Sequence, residues 1–236
     1  MRRRSSVQEC LSCDPGFYCA TPGSSEATGY CSAGYYCLGG AVMPFPTDDI
    51  TGNECPRGHY CPEGSRIPRL CHPGHYSNKT KNTAQSDCLP CPSGFACAAP
   101  GLTSPSHTCE AGFFCPLGQE SSRPDVFLCP MGHMCSEGSA VPVACPQGAY
   151  QDQRGQENCK LCPSGFYCTG GMPALQCPKG HYCPPGTKSA VQFPCPPGTF
   201  SNRTQLSDPA ECAPCAPGKY CSSAGLAEPT GDCIPG

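Results

Sequence analysis

The amino-acid sequence predicts a small disulfide-rich fold: an elongated, linear array of cysteine-rich repeats with irregular backbone, short β-hairpins and no large hydrophobic core. Three observations predict it. The chain has 26 cysteines in 236 residues, a density typical of disulfide scaffolds. The cysteines recur at regular spacings along the whole chain, as in linear arrays. Glycine and proline contribute 28 and 30 residues, which leaves little room for long helices or central strands.

The rest of the composition agrees with this class. Leu, Ile, Val and Phe number only 29, too few for the core of a compact globule of this length. The formal net charge is −3, whereas disordered chains of low hydrophobicity carry a high net charge. These values argue against an ordinary enzyme domain, a coiled coil or a membrane-spanning protein. Because Lys and Arg are scattered singly beyond Arg2–Arg4, we also expect no nucleic-acid binding.

The spacing of the cysteines divides the chain into repeats. The series that begins at Cys10 recurs from Cys88, loses one pair in the copy that begins at Cys159, and is cut short in the copy from Cys212. We therefore expect a disordered tail over residues 1–9 and a first repeat over 10–87. A second repeat covers 88–158, a shortened third repeat 159–211, and a truncated fourth repeat 212–236.

A smaller unit, here called the cassette, has the pattern Cys-x-x-Gly-x-aromatic, and its positions are numbered from its first cysteine. Twelve cassettes occur, and a second cysteine stands at position seven in nine of them. Proline at position two suits a type I turn, and Pro-Gly at positions three and four suits a type II turn. We expect the ring at position six, present in ten cassettes, to cover a disulfide and to supply most of each small core. The cassettes begin at Cys13, Cys31, Cys55, Cys71, Cys91, Cys109, Cys129, Cys145, Cys162, Cys177, Cys195 and Cys215.

Two disulfide registers are compatible with these spacings. Cassettes without a second cysteine are followed by the first cysteine of a Cys-x-x-Cys pair, so the first register predicts Cys71–Cys88, Cys145–Cys159 and Cys195–Cys212 bridges. It leaves Cys10 and Cys233 without partners in this chain. The second register pairs cysteines consecutively from Cys10 and makes thirteen bridges, four of them within Cys-x-x-Cys. Such tight rings are strained, so geometry favours the first register.

Two stretches of the sequence carry a family resemblance. They run from Cys71 to Cys97 and from Cys195 to Cys221, and share the form Cys-x-Pro-Gly-x-aromatic-Ser-Asn-x-Thr followed by Cys-x-Pro-Cys. They resemble the ephrin-receptor-like cysteine-rich repeat, which is itself similar to the ligand-binding modules of tumour necrosis factor receptors. The resemblance implies an extracellular array of short two-stranded pieces and names no ligand. The chain departs from this pattern in its many additional Cys-x5-Cys cassettes.

The candidate chemistry is weak, and we expect no catalytic, cofactor-binding or metal site. The Cys-x-x-Cys pairs lie too far apart for a zinc ribbon, and they sit among Gly/Pro turns rather than at a helix start, as a thiol-redox site requires. His59, His133 and His181 share one cassette position with unrelated residues in sister cassettes, which indicates packing or surface roles. Asp48 and Asp49 lack the surrounding ligands of a calcium site.

Two other kinds of site are predicted. Asn78 and Asn202 begin glycosylation sequons, each seven residues after a cassette cysteine, although an asparagine there could equally serve the turn. The loops that differ most between repeats contain Met43, Phe45 and Ile50 in one case, and Val126, Phe127 and Leu128 in the other. These residues are either a partner-binding surface or a cover for a neighbouring disulfide.

Together these observations predict a non-enzymatic, extracellular or lumenal repeat array, either an ectodomain or a matrix-type spacer, that binds extracellular proteins. The sequence shows no signal peptide and no segment suited to membrane insertion, while its cysteines require an oxidising compartment. We therefore expect a piece of a longer protein. A secreted disulfide-rich protease inhibitor is the second hypothesis, and a thiol- or metal-binding protein the third.

Overall fold

A computed structural model describes residues 12–171 and 173–233. The described chain forms two compact units. Unit 1 contains the residues up to Cys109 together with Cys115–Pro124, and unit 2 contains Glu110–Phe114 together with the residues from Asp125 onward. The four repeats of the sequence are a division by cysteine spacing and remain a prediction.

Unit 1 consists of two-stranded antiparallel hairpins joined by turns and loops. In each hairpin, a cassette supplies the first strand and the segment just before the next cassette supplies the second. The pairs are β1 (Phe17–Tyr18) with β2 (Gly29–Tyr30), β3 (Tyr35–Cys37) with β4 (Gly52–Glu54), β5 (His59–Tyr60) with β6 (Arg69–Leu70), β7 (His75–Tyr76) with β8 (Leu89–Pro90), and β9 (Phe95–Ala96) with β10 (His107–Thr108). A short 3₁₀ helix covers Gln85–Asp87.

Unit 2 repeats this organisation. Its pairs are β11 (His133–Met134) with β12 (Val143–Ala144), β13 (Ala149–Tyr150) with β14 (Lys160–Leu161), β15 (Phe166–Tyr167) with β16 (Leu175–Gln176), β17 (Thr199–Phe200) with β18 (Ala213–Pro214), and β19 (Lys219–Tyr220) with β20 (Gly231–Asp232). Isolated antiparallel bridges join Phe113 to Leu128 and His181 to Pro194. Short 3₁₀ helices cover Asp125–Phe127 and Pro209–Glu211.

Every cassette turns in the same way. The position-five N–H donates to the position-two carbonyl, as His59 does to Pro56 at 3.2 Å. The glycine between them has a positive φ in all twelve cassettes, for example +76° at Gly58. A four-residue turn with a left-handed third residue is type II. The expectation of a type I turn where proline stands at position two is therefore wrong, because that proline is the first residue of the turn rather than its second.

In unit 1, consecutive cassettes are joined by backbone hydrogen bonds. The Gly58 N–H donates to the carbonyl of Ser77 in the next cassette, and the Gly58 carbonyl accepts from the Cys71 N–H, both at 2.9 Å. A further bond runs from the Lys81 N–H to the Cys55 carbonyl at 2.9 Å. The same two glycine bonds occur in this unit at Gly16, Gly34, Gly74 and Gly94.

Unit 2 has the same ladder. The Gly165 N–H donates to the Cys183 carbonyl at 2.8 Å, and the Cys177 N–H donates to the Gly165 carbonyl at 2.9 Å. The two glycine bonds also occur at Gly112, Gly132, Gly148, Gly180 and Gly198. Each cassette therefore provides the hydrogen-bonding partners that the next one needs, although within the described residues no hairpin strand is longer than three residues.

The described residues contain twelve disulfides. Nine close a cassette between positions one and seven, with the Cα atoms 5.8–6.0 Å apart. The other three are Cys71–Cys88, Cys145–Cys159 and Cys195–Cys212, the same three pairs that the first register predicts. Cys13 is bonded to Cys19, which is incompatible with a Cys10–Cys13 bridge; Cys10 itself lies outside the described residues. Cys233 is a free, exposed thiol.

The interior is made chiefly of disulfide sulfur. Among the described residues, the buried apolar side chains other than cysteine are Ala41, Pro46, Ala96, Pro124 and Leu206. The position-six rings are half-buried in nine of the ten cassettes that have one, and Tyr220 is exposed. The expectation that these rings supply most of each core is wrong, because the rings remain half-buried or exposed while nearly all the disulfide cysteines are buried.

Candidate functional site

The most elaborate surface feature of unit 1 is the acidic loop, residues 38–51, which joins β3 to β4. Its ends are held together by the Leu38 N–H, which donates to the Thr51 carbonyl at 2.8 Å. Its middle is anchored to the preceding cassettes, since the Cys19 N–H donates to the Ala41 carbonyl at 2.8 Å, and Ala41 and Pro46 are buried. The loop is thus attached to the hairpins at several points along its length.

The side chains predicted as partner-binding in this loop point into solvent. Ile50 is 81% exposed, Phe45 53% and Met43 44%. The Phe45 ring also contacts the Tyr35 ring, with centroids 6.3 Å apart, so the loop partly covers the neighbouring hairpin. The loop thus has features of both hypotheses from the sequence, a cover for its neighbours and a partner-binding surface. Phe45 packs against the hairpin on one side and is exposed on the other, while Ile50 is almost wholly exposed.

The charges of the acidic loop are Asp48 and Asp49. Asp48 accepts hydrogen bonds from the Thr51 N–H at 2.7 Å and from the Thr51 hydroxyl at 2.8 Å, which lower the pKa of its carboxyl. Asp49 has a φ of +59° and accepts from the Asn53 side chain. Both carboxylates thus stabilise the turn that presents Ile50. Within the described part of the chain, neither forms an ion pair.

Glu54, which follows the acidic loop on β4, is neutralised. Lys81 lies 2.9 Å from its carboxylate, and the Lys81 ammonium sits 5.3 Å from the centre of the Tyr35 ring. The hydrogen bond to the Glu54 carboxylate is the main cause of the raised pKa of Lys81, and a hydrogen bond to the Tyr35 side chain adds to it. This three-residue contact was not predicted from the sequence, because Lys81 is 27 positions after Glu54 and occupies a left-handed site (φ +64°) where the sister repeats have Gly155 and Gln205.

The second group of predicted partner-binding residues, in unit 2, also contains both exposed and packed side chains. Val126 is 84% exposed, whereas Phe127 is half-buried and its ring contacts that of Phe114 at 5.2 Å. Leu128 pairs with Phe113 and lies over Gly155, with a side-chain carbon about 3.0 Å from where a Cβ would stand. Val126 is therefore the member of this group that is free to contact a partner.

The two sequons share one geometry. Asn78 and Asn202 are exposed, and each follows a buried serine. The Ser77 hydroxyl receives the Lys79 N–H at 3.3 Å, and the Ser201 hydroxyl receives the Arg203 N–H at 3.2 Å. The serine rather than the asparagine thus holds the turn. Among the described hydrogen bonds, neither asparagine side chain takes part, so both amides face solvent.

The cassette histidines are held by their own turns. In His59, His75, His133 and His181 the Nδ1 atom lies 2.8–3.3 Å from the carbonyl oxygen two residues earlier. Because a carbonyl only accepts, Nδ1 carries the proton in each ring. Among residues 12–171 and 173–233, no group of three or more His, Cys, Asp and Glu side chains is placed to hold a metal ion. The same residues include no helix of the length and apolarity that a membrane crossing requires.

One aromatic pair at the surface was not predicted from the sequence. Phe17 and Tyr30 face each other across β1 and β2, with ring centroids 4.9 Å apart, and Tyr30 is 58% exposed. Tyr30 lies over Gly64, where a Cβ would come within 3.0 Å of the ring. The sequence did contain a pattern that could have predicted this contact. Tyr30 stands immediately before a cassette cysteine, at the position that Leu70, Leu128 and Leu161 occupy in sister repeats.

Comparison with known proteins gives one similarity of note. No family model matches the chain. Over 139 residues it is 28% identical to Sushi, von Willebrand factor type A, EGF and pentraxin domain-containing protein 1 from Rattus norvegicus; this alignment covers 50% of the chain and 4% of that protein. The chain thus corresponds to a small part of a much longer multidomain relative. With the hairpins and bridges described above, the similarity supports a disulfide-rich repeat array with short hairpins.

Proposed function

We propose that this chain is a non-enzymatic, extracellular protein-interaction module, in which disulfide-closed cassettes act as a spacer and the loops between hairpins contact partners. The observation that carries the proposal is the near-complete exposure of Ile50 and Val126, at 81% and 84%. Large aliphatic groups exposed to water on a cross-linked backbone favour a binding role. Because such loops are already ordered in the free chain, little conformational entropy is lost when a partner binds.

The location follows from the chemistry of the cysteines. Twelve disulfides among the described residues are typical of the secretory pathway and the cell exterior. The resemblance to ephrin-receptor-like repeats agrees with that location. We therefore expect the parent protein to be secreted or to carry this array in an ectodomain.

The sequons offer a check on whether the chain is suited to the secretory pathway. Expressed with a secretion signal in animal cells, the chain should carry glycans at Asn78 and Asn202, because both amides are exposed next to a turn held by serine. Treatment with an N-glycosidase should lower the mass by the glycan and convert each asparagine to aspartate. Asn78→Gln and Asn202→Gln should each remove one glycan, whereas Asn158→Gln, at an exposed asparagine outside a sequon, should remove none. Unmodified secreted material would remove this support.

The interaction role is tested with the full chain. We expect a library of recombinant ectodomains to contain a partner whose binding weakens at least tenfold with Ile50→Ser or Val126→Ser, a loss typical of a central contact. Val191→Ser is the matched control, because Val191 is 67% exposed and lies outside both loops. Binding that is indifferent to both loop variants would contradict the proposal. Inhibition of a protease panel without cleavage of the chain would favour the inhibitor hypothesis instead.

A further inference from the structure

The acidic loop has a composition found nowhere else in the described chain. Five exposed apolar side chains lie within its fourteen residues, and its only charges are two carboxylates. The apolar side chains are Leu38, Val42, Met43, Phe45 and Ile50. Small proteins rarely expose so many large apolar groups on one segment without a partner.

The charge around this loop is one-sided. Residues 12–56 contain five acidic side chains and no lysine or arginine, whereas acidic and basic residues are equal in number from Arg57 to the end. Lys81, in unit 1, neutralises Glu54. Asp48 and Asp49 keep their charge without a basic partner among the described residues, and both lie beside the 81% exposed Ile50. A partner that covers Ile50 must therefore approach a negative surface.

We propose that the acidic loop is the docking surface for a cationic segment of a partner protein, one that places aliphatic or aromatic side chains on Ile50 and Phe45 and lysine or arginine beside Asp48 and Asp49. This inference rests on the proposed interaction role. Charge complementarity favours a cationic partner. An acidic or neutral apolar segment would remove water from the two carboxylates and supply no positive charge in its place. The anchored ends of the loop limit the entropy lost on binding.

A random dodecapeptide library displayed on phage tests the proposal on the full chain. We consider the peptides that bind the natural chain but do not bind an Asp49→Asn/Ile50→Ser variant. They should carry net positive charge and at least one large apolar side chain. Synthetic copies should bind the variant at least tenfold more weakly. Their affinity for the natural chain should fall as salt is raised from 0.05 to 0.5 M, because the charges are exposed.

The chain offers a closely matched control. Asp125→Asn/Val126→Ser makes a closely similar change at another exposed Asp-aliphatic pair, with Val126 84% exposed, and should leave these peptides bound. Disulfide mapping of both variants verifies their folding.

Three results would overturn the inference. Recovered peptides could be neutral or acidic, they could depend on Val126 rather than Ile50, or Ile50 could instead mediate self-association of the chain in sedimentation. Peptides that depend on Val126 would leave the interaction role intact, whereas failure to recover any loop-dependent peptide would contradict both proposals.

Discussion

The cassette glycine is required by two separate constraints, seen clearly at Gly58. Its φ of +76° lies in the left-handed region that side chains with a Cβ disfavour. A Cβ there would also lie 2.2 Å from the carbonyl oxygen of Gly101, a residue after the next cassette but one. The first constraint was predicted from the turn pattern. The second was not, because it depends on how cassettes pack rather than on the turn alone.

Replacing Gly58 separates these constraints. We expect Gly58→Ala to lower the free energy of unfolding by at least about 2 kcal/mol, since backbone strain and a steric clash add. Gly23→Ala is the control: its φ is +78° and no atom lies within 4 Å of the added Cβ, so it should cost about 1 kcal/mol. Guanidinium denaturation with the disulfides intact, followed by tyrosine near-UV circular dichroism, measures both. Equal losses would contradict the packing argument.

The Asp48 carboxylate makes a pH-dependent contribution to the acidic loop. Hydrogen bonds from Thr51 hold its pKa below that of the unfolded chain, so ionised Asp48 stabilises the loop above the unfolded pKa. This stabilisation is lost as pH falls through the lowered folded pKa. The Thr51 amide shift should therefore titrate with a midpoint below about 3.9, the ordinary aspartate value, in an NMR series from pH 7 to 2. Asp48→Asn should abolish the transition, and a midpoint at or above the ordinary value would contradict this assignment.

The cassettes that lack a second cysteine replace it by a buried polar side chain. Ser77, Gln151 and Ser201 occupy position seven and are 1%, 2% and 4% exposed. The Ser77 hydroxyl, for example, accepts from the Asn82 amide at 2.6 Å. In these cassettes the first cysteine pairs with the cysteine that immediately precedes the second strand of the hairpin, so no sulfur partner is needed at position seven.

A cysteine introduced at position seven of such a cassette should therefore make two disulfide pairings compete. In Ser77→Cys, Cys71 can pair within its cassette, as nine sister cassettes do with Cα atoms 5.8–6.0 Å apart, or with Cys88 as before. We expect a mixture of the two bridges and a free thiol on the excluded partner, visible by peptide mapping without reduction. Ser65→Cys, a buried serine outside a cassette, should leave Cys71–Cys88 intact. Retention of that bridge alone in Ser77→Cys would show that the hairpin sets the pairing.

At the level of elements, the sequence predicts short hairpins and the positions of variable loops, because glycine, proline and cysteine spacing act locally. It does not predict which loop residues stay exposed. Phe45 and Phe127 look alike in sequence, yet Phe45 is 53% exposed and Phe127 is half-buried against Phe114. The difference depends on which hairpin lies beside each ring, and that information is spread over residues far apart in the chain.

Across the described chain, sulfur rather than hydrocarbon fills the interior. Five buried apolar residues other than cysteine, namely Ala41, Pro46, Ala96, Pro124 and Leu206, cannot offset the loss of backbone entropy, about 1–2 kcal/mol for each ordered residue. Hairpins of two or three residues are too short to be stable alone. The hydrogen-bond ladders of both units therefore persist because disulfides restrict the unfolded chain.

Reduction in native buffer tests this dependence. After treatment with a phosphine reductant and iodoacetamide, the ladder amides of unit 1, such as Gly58, and of unit 2, such as Gly165, should lose their protection from hydrogen exchange. Iodoacetamide without reductant is the control: among the described cysteines it should modify Cys233, the free and exposed thiol, and leave protection unchanged. Nine of the twelve described disulfides close single cassettes and three close hairpins, so both units should lose protection when the turns that carry the ladder are released. Amides that stay protected after every cysteine is alkylated would show that the apolar loops and backbone bonds suffice, and would contradict a sulfur-based interior.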